Sequence, residues 1–342
     1  MEYAYHGHPL HPVVEIYPDV VPFYGGISMK EFTFSAEKCA RSWRMANEAI
    51  ADEFGGRLPS IGPALPPVGY VHLDNIGGEI MFPENGESNI RAFADSIEDA
   101  IELMKNEPDV TQNKHFLHFM EMKKEMEELC PGHRITLHPI GCEGPLSECV
   151  LMRSPDFLCD LVEDPDLSLE FINLMTDSVI SYTKQLNISS GLPETLGSWD
   201  VYDDLAALFS PSMWSTHVIP AWRKMYEELN TPSERRFLHC ENTYPAQLPY
   251  LKEAGITFYQ PSVSQQLTIE NIRENTDIEF DWLLYAFDVV NMSDEQIQEW
   301  VDEVVAKDVS IIRTQFGRYA AEQGKLDRIH AFLKAFDKYK VD

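Results

Sequence analysis

The sequence predicts an α/β fold in which parallel strands close into a (β/α)8 barrel of the TIM type, a single domain over residues 1–342 with an irregular N-terminal segment. Three observations point there. Short β-rich runs alternate with longer amphipathic runs from Arg134 onward. Six such units fit in that part of the chain and leave room for two more upstream. Polar residues also recur at the carboxyl ends of the predicted strands, where barrel enzymes build their sites.

Taken in order, residues 37–54 read as a helix and residues 57–69, rich in proline and glycine, as a loop. Residues 80–82 are a brief strand followed by the turn Pro83-Glu84-Asn85-Gly86, and residues 97–104 and 114–129 are helices. Residues 134–140 read as a strand. Residues 156–186 form one or two helices with Phe157, Leu161, Leu167, Phe171, Leu174 and Met175 at helical spacing. A strand segment at 196–201 leads to Asp203-Asp204, and Ser210-Pro211 then opens a helix to about Leu229, with serine as cap and proline in the first turn. Strand 237–240 follows, then a helix over 244–254 ended by Gly255. Strands at 256–259, 280–286 and 309–312 alternate with helices at 269–275, 294–306 and 326–339.

Acidic residues outnumber basic ones by 56 to 27, for a formal net charge of −29, which argues against nucleic acid or an anionic membrane as partner. The six cysteines show no CxxC spacing, and the first residues have neither a basic region nor an apolar one of the secretory kind. Both facts predict a cytoplasmic protein. No apolar run approaches the roughly 18 residues of a membrane span. The fingerprints GxGxxG, GxxxxGK[ST], HExxH and GxSxG are all missing, which removes the usual support for nucleotide-fold and serine-hydrolase chemistry.

What remains is the set of strand-end residues. His138 and Cys142-Glu143 follow one strand, and Asp203-Asp204 the next. His239, Cys240 and Glu241 close a third, with Tyr259, Gln260 and Gln315 after later ones. The run His239-Cys240-Glu241 stands out because it places an imidazole, a thiol and a carboxylate side by side. Strand alternation sends His239 and Glu241 to one face and Cys240 to the other, unless a bulge brings Cys240 round. Each candidate has a plainer reading: Cys240 as a small core residue, Asp203-Asp204 as the approach to a helix, Glu143 as part of a glycine turn.

Several segments together resemble the uroporphyrinogen decarboxylase-like superfamily, which includes that decarboxylase and the methyltransferases of corrinoid systems. They are Asn75-Ile76-Gly77-Gly78-Glu79-Ile80-Met81-Phe82-Pro83-Glu84-Asn85-Gly86, Gly141-Cys142-Glu143-Gly144-Pro145-Leu146, Asp160-Leu161-Val162-Glu163-Asp164-Pro165, Asp203-Asp204 before Leu208-Phe209-Ser210-Pro211, Leu238-His239-Cys240-Glu241-Asn242 and Ala254-Gly255. The resemblance spreads over roughly residues 70–340 and implies the same α/β barrel.

Within that superfamily the decarboxylase grips a polyanionic tetrapyrrole with an arginine-rich N-terminal segment, and residues 1–34 here hold no arginine. The methyltransferase branch carries His-x-Cys and a later cysteine as zinc ligands. Here Glu241 stands in the cysteine's place, and Ile312-Arg313-Thr314-Gln315-Phe316-Gly317 has no cysteine. The resemblance thus implies a zinc held by His239 with Glu241 or Cys240, acting as Lewis acid on an oxygen substrate. It implies a small methylated, O-methyl substrate and a corrinoid (cobalamin) carried by a partner protein. Asp203, Asp204 or Glu143 completes the coordination or supplies a proton, and His138, Tyr259, Gln260 and Gln315 contact substrate. The alternative is a metal-free decarboxylase acting on a carboxylic acid.

Overall fold

The computed structural model describes residues 2–341 as a mixed α/β fold built on a mainly parallel sheet. In chain order the strands are β1 (Tyr3–Tyr5), β2 (His8–Ile16), β3 (Ile80–Met81), β4 (Asn89–Ile90), β5 (Val201–Tyr202), β6 (Phe237–His239), β7 (Phe258–Gln260), β8 (Glu279–Leu284) and β9 (Ile311–Phe316). The described residues form a seven-stranded sheet in the order β1-β2-β9-β8-β7-β6-β5, and β3 pairs only with β4. From β2 to β5 all neighbours are parallel; only β1 runs antiparallel, on β2.

The strand expected at 134–140 does not form. Leu137 donates its N–H to the Ser190 hydroxyl, and Pro139 sits in a single turn at His138–Ile140, so these backbone groups are satisfied by a side chain and by their own turn instead of a strand ladder. Two extended stretches fill part of the space beyond β5. Gly144 N–H donates to the Tyr202 carbonyl at 2.5 Å, Tyr70 bridges Cys142, and Val68 N–H donates to the Pro139 carbonyl at 2.8 Å. Among the described residues strand pairing does not continue from there to β2. The expected eight-stranded ring is therefore observed as six parallel strands without closure by hydrogen bonds.

Strand β2 goes unread in the sequence because Pro9 and Pro12 interrupt it. Its amides alternate sides: His11 N–H bonds to the Ser310 carbonyl, and the next residue, Pro12, turns its nitrogen away from β9, where no donor is required. Strand β9 is buried from Ile312 to Phe316, as a central parallel strand should be.

The long helices follow their patterns. Ala36–Phe54 starts where the Ser35 side chain accepts the Lys38 N–H, ends at Gly55 with φ 55°, and buries Cys39, Trp43, Ala46, Ile50 and Phe54 along one face. Lys114–Leu129, Ile269–Asn275 and Asp294–Ala306 lie where expected. The helix expected from Ser210 is broken instead. Ser210 bonds to the Ser212 hydroxyl rather than capping, and a wide turn at Trp214–Val218 precedes the regular helix Ile219–Glu228, whose Pro220 cannot donate to the turn before it. Among the described residues no helix is long and apolar enough to cross a membrane.

Candidate active site

The carboxyl ends of the strands open onto a cavity of about 510 Å³. Tyr17 enters it just past β2, Tyr202 from β5, Asp204 two residues later and His239 from the end of β6, while Tyr70 and Glu143 come from the extended stretches beyond β5. A side cavity of about 370 Å³ shares His138, Cys142, Glu143 and Tyr202 with it and adds the apolar walls Leu196, Trp199 and Met225. Neither lining includes a lysine or an arginine. A larger hollow of about 670 Å³ lies at the opposite end, around the starts of β8 and β9, where Glu279, Phe280 and Ser310 form its wall. Parallel α/β folds place their chemistry at the carboxyl ends of the strands, so the two cavities there are the candidate site.

His239 is held from behind and open in front. Its Nδ1 lies 2.6 Å from Gln260 Oε1, on the paired residue of β7. Its Nε2 faces Asp204 Oδ1 at 3.5 Å and Glu241 Oε1 at 3.9 Å, and the ring stacks obliquely 5.4 Å from Tyr202. Asp204 is itself steadied by the Glu241 N–H at 2.8 Å. Burial raises the Asp204 carboxyl, with the nearby imidazole pulling the other way. Behind Gln260, its amide donates to Asp281 Oδ2 at 2.8 Å, Asp281 pairs with Arg313 Nε at 2.7 Å, and Arg313 reaches Glu15 at 2.6 Å.

Glu143 lines both cavities. Burial, reinforced by the charges of Glu148, Asp204 and Asp203, pushes its carboxyl up to about 8, so it is protonated at neutral pH. Its N–H is held by Glu148 Oε1 at 3.0 Å, and Glu148 lies buried against His72. His138 also lines both cavities, with Nε2 fixed on Asn187 at 2.8 Å.

The other expected residues face elsewhere. Cys240 is fully buried with its thiol donating to the Asp203 carbonyl at 3.2 Å, and burial pushes that thiol well up. Asp203 is buried beneath the helix Pro145–Arg153, where it accepts the Ser147 N–H at 2.7 Å and the Trp222 indole N–H at 2.8 Å; burial still raises it to about 6. Tyr259 is buried and donates to the Cys240 carbonyl at 3.0 Å. Gln315 sits behind Tyr17, donating to its hydroxyl at 2.9 Å. Among the described residues, no three His, Cys, Asp or Glu side chains form a complete metal cage.

Sequence reading missed Tyr17, Tyr70 and Tyr202 on the wall, and Asp281 and Arg313 behind it. Tyr17 and Tyr70 were hidden because their flanking segments do not read as strands. Asp281 and Arg313 carried a usable signal, since a charged residue inside an apolar strand is buried only when paired.

The chain matches no family model and no curated protein. Among solved structures it is similar to a methyltransferase from Methanosarcina mazei, at 17% identity and a TM-score of 0.67, over 98% of this chain and 95% of that one. A looser likeness, TM-score 0.47 at 10% identity over 97% and 99% of the two chains, is to a Listeria monocytogenes protein described as a vitamin-B12 independent methionine synthase. At 17% identity the first likeness is one of fold.

Proposed function

We propose that the protein is a zinc-dependent methyltransferase that moves a methyl group between a small O-methyl substrate and a corrinoid carried by a partner protein. The convergence of His239 Nε2 with the Asp204 and Glu241 carboxylates carries this reading, with His239 and Asp204 on the cavity wall and Glu241 beside them. Similarity of fold to a methyltransferase supports it. The reading takes residues 1–342 as one cytoplasmic domain of the (β/α)8 barrel type.

Two pairwise separations suit zinc, while among the described residues no three His, Cys, Asp or Glu side chains stand close enough together to hold it without a shift of side chains. Ligand atoms about 2.0–2.1 Å from a tetrahedral zinc stand about 3.3 Å apart, and the separations here are 3.5 and 3.9 Å. His239 and Glu241 would hold the ion, with Asp204 as the third protein ligand and Cys240 turned away. When bound, zinc supplies Lewis acidity to the substrate oxygen. Glu143, protonated at neutral pH and on the same wall, holds a proton for the departing oxygen. The apolar side cavity takes the body of the substrate and keeps water from it, and the tyrosine rings shape the entrance. His138, at the junction of the two cavities, orients the substrate. The nucleophile belongs to the corrinoid, so the chain has only to bind, orient and protonate. Cavities without a lysine or arginine suit a substrate that brings no carboxylate, which weighs against the metal-free decarboxylase.

The deciding experiment mixes the purified, zinc-loaded protein with a panel of O-methyl compounds and a reduced corrinoid protein, and follows methyl–cobalt formation by absorbance. Methylation that depends on the corrinoid protein, with free cobalamin a poor substitute, is expected. Full turnover of substrate in water alone, or metal-independent release of carbon dioxide from an acid, would reject the proposal.

A further inference from the structure

We infer that Gln260, Asp281 and Arg313 form a positioning chain across neighbouring strands that holds the proton of neutral His239 on Nδ1 and turns the Nε2 lone pair toward Asp204 and Glu241. The inference deepens the reading of His239 as the zinc-bearing imidazole and rests on that reading only for its consequence, not for its geometry.

The logic runs from the far end. The Arg313 guanidinium, buried and fixed between Glu15 at 2.6 Å and Asp281 at 2.7 Å, cannot give up its proton, and its charge favours the Asp281 carboxylate against the burial that raises it. A carboxylate only accepts, so the Gln260 group facing Asp281 Oδ2 at 2.8 Å has to be the amide N–H. The amide orientation follows: Gln260 Oε1 is the atom left for His239 Nδ1 at 2.6 Å, and an acceptor there demands that Nδ1 carry the hydrogen. Reversing the amide would set Oε1 against Asp281 and an N–H₂ against Nδ1, so each link enforces the next. The four groups can meet because β6, β7, β8 and β9 are adjacent parallel strands and His239 and Gln260 are register partners.

Gln260 works against its surroundings. The two carboxylates on the Nε2 side, at 3.5 and 3.9 Å, draw the hydrogen of a neutral imidazole toward Nε2, which would close that nitrogen to a metal. Gln260 is therefore a residue that acts through His239, and its counterpart in known metal sites is the outer hydrogen-bond partner that sets the tautomer of a ligating histidine.

The test uses the full-length protein labelled with ¹⁵N-histidine, with zinc removed, at a pH where the imidazole is neutral. Long-range ¹H–¹⁵N correlations report which ring nitrogen of His239 is protonated. The Nδ1–H pattern is expected in the wild type. Gln260→Leu should move it to Nε2–H, and Gln260→Glu, which keeps an acceptor in place, should restore Nδ1–H. Asp281→Asn, which frees the amide to turn, should give a mixture and serves if Gln260→Leu fails to fold. Zinc alone, titrated against a chelator, should bind roughly 10–100-fold more weakly to Gln260→Leu, with recovery in Gln260→Glu. An Nε2–H wild type, or an unchanged pattern in both Gln260→Leu and Asp281→Asn, would overturn the inference. A tautomer that responds as expected in a protein that binds no zinc would uphold the positioning chain and remove the zinc reading instead.

Discussion

Glu143 gives the sharpest thermodynamic consequence of the site. Its carboxyl is carried from an ordinary 4.5 to about 8, first by burial and then by the charges of Glu148, Asp204 and Asp203. Between those values the unfolded chain has released a proton that the native Glu143 keeps, so stability falls as pH rises through the window and the contribution is lost above about pH 8. At 1.36 kcal/mol per pH unit the full interval is worth about 5 kcal/mol, and solvent reaching a half-buried group reduces that to about 2–4 kcal/mol. Glu143→Gln removes the ionisation while keeping the shape. The stability of the variant relative to wild type should therefore climb by about 2–4 kcal/mol from about pH 5 to about pH 8 and then level off. Urea unfolding of both proteins across that range, followed by tryptophan fluorescence and circular dichroism, measures the difference. A difference flat to within about 0.5 kcal/mol would refute the claim that native Glu143 holds its proton at neutral pH.

The metal reading predicts that His239→Ala and Glu241→Ala each lose most bound zinc while remaining folded, whereas Cys240→Ser, whose side chain points to the Asp203 carbonyl, keeps it. Elemental analysis decides this, and full zinc occupancy in both alanine variants would leave zinc ligation by these residues without support. At Gly144 an added Cβ would stand 2.4 Å from the Asp203 side chain, so Gly144→Ala should cost about 2 kcal/mol or more, read as a lower Tm. An unchanged Tm would mean that Asp203 does not pack beneath this turn.

Much of the fold was legible because local patterns report local structure. The helices Lys114–Leu129, Ile269–Asn275 and Asp294–Ala306 follow from apolar periodicity and flanking caps, and strands β6 to β9 were recognised from short β-rich runs between them. Strand β2 was not legible, because its two prolines look like loop residues until β9 lies beside it and shows which amides need partners. Residues 134–140 failed the opposite way: an apolar run of strand length that spends its backbone groups on Ser190 and on its own turn. At the site, the sequence on its own determined that an imidazole, a thiol and several carboxylates stand near strand ends. The tertiary structure alone decided which of them meet: Asp204 faces His239 while Asp203, one residue earlier, is buried beneath a helix, and Glu143 keeps a proton because other carboxylates crowd it from distant parts of the chain. Side-chain direction and local dielectric depend on neighbours contributed by remote segments, and neither is encoded in the order of adjacent residues.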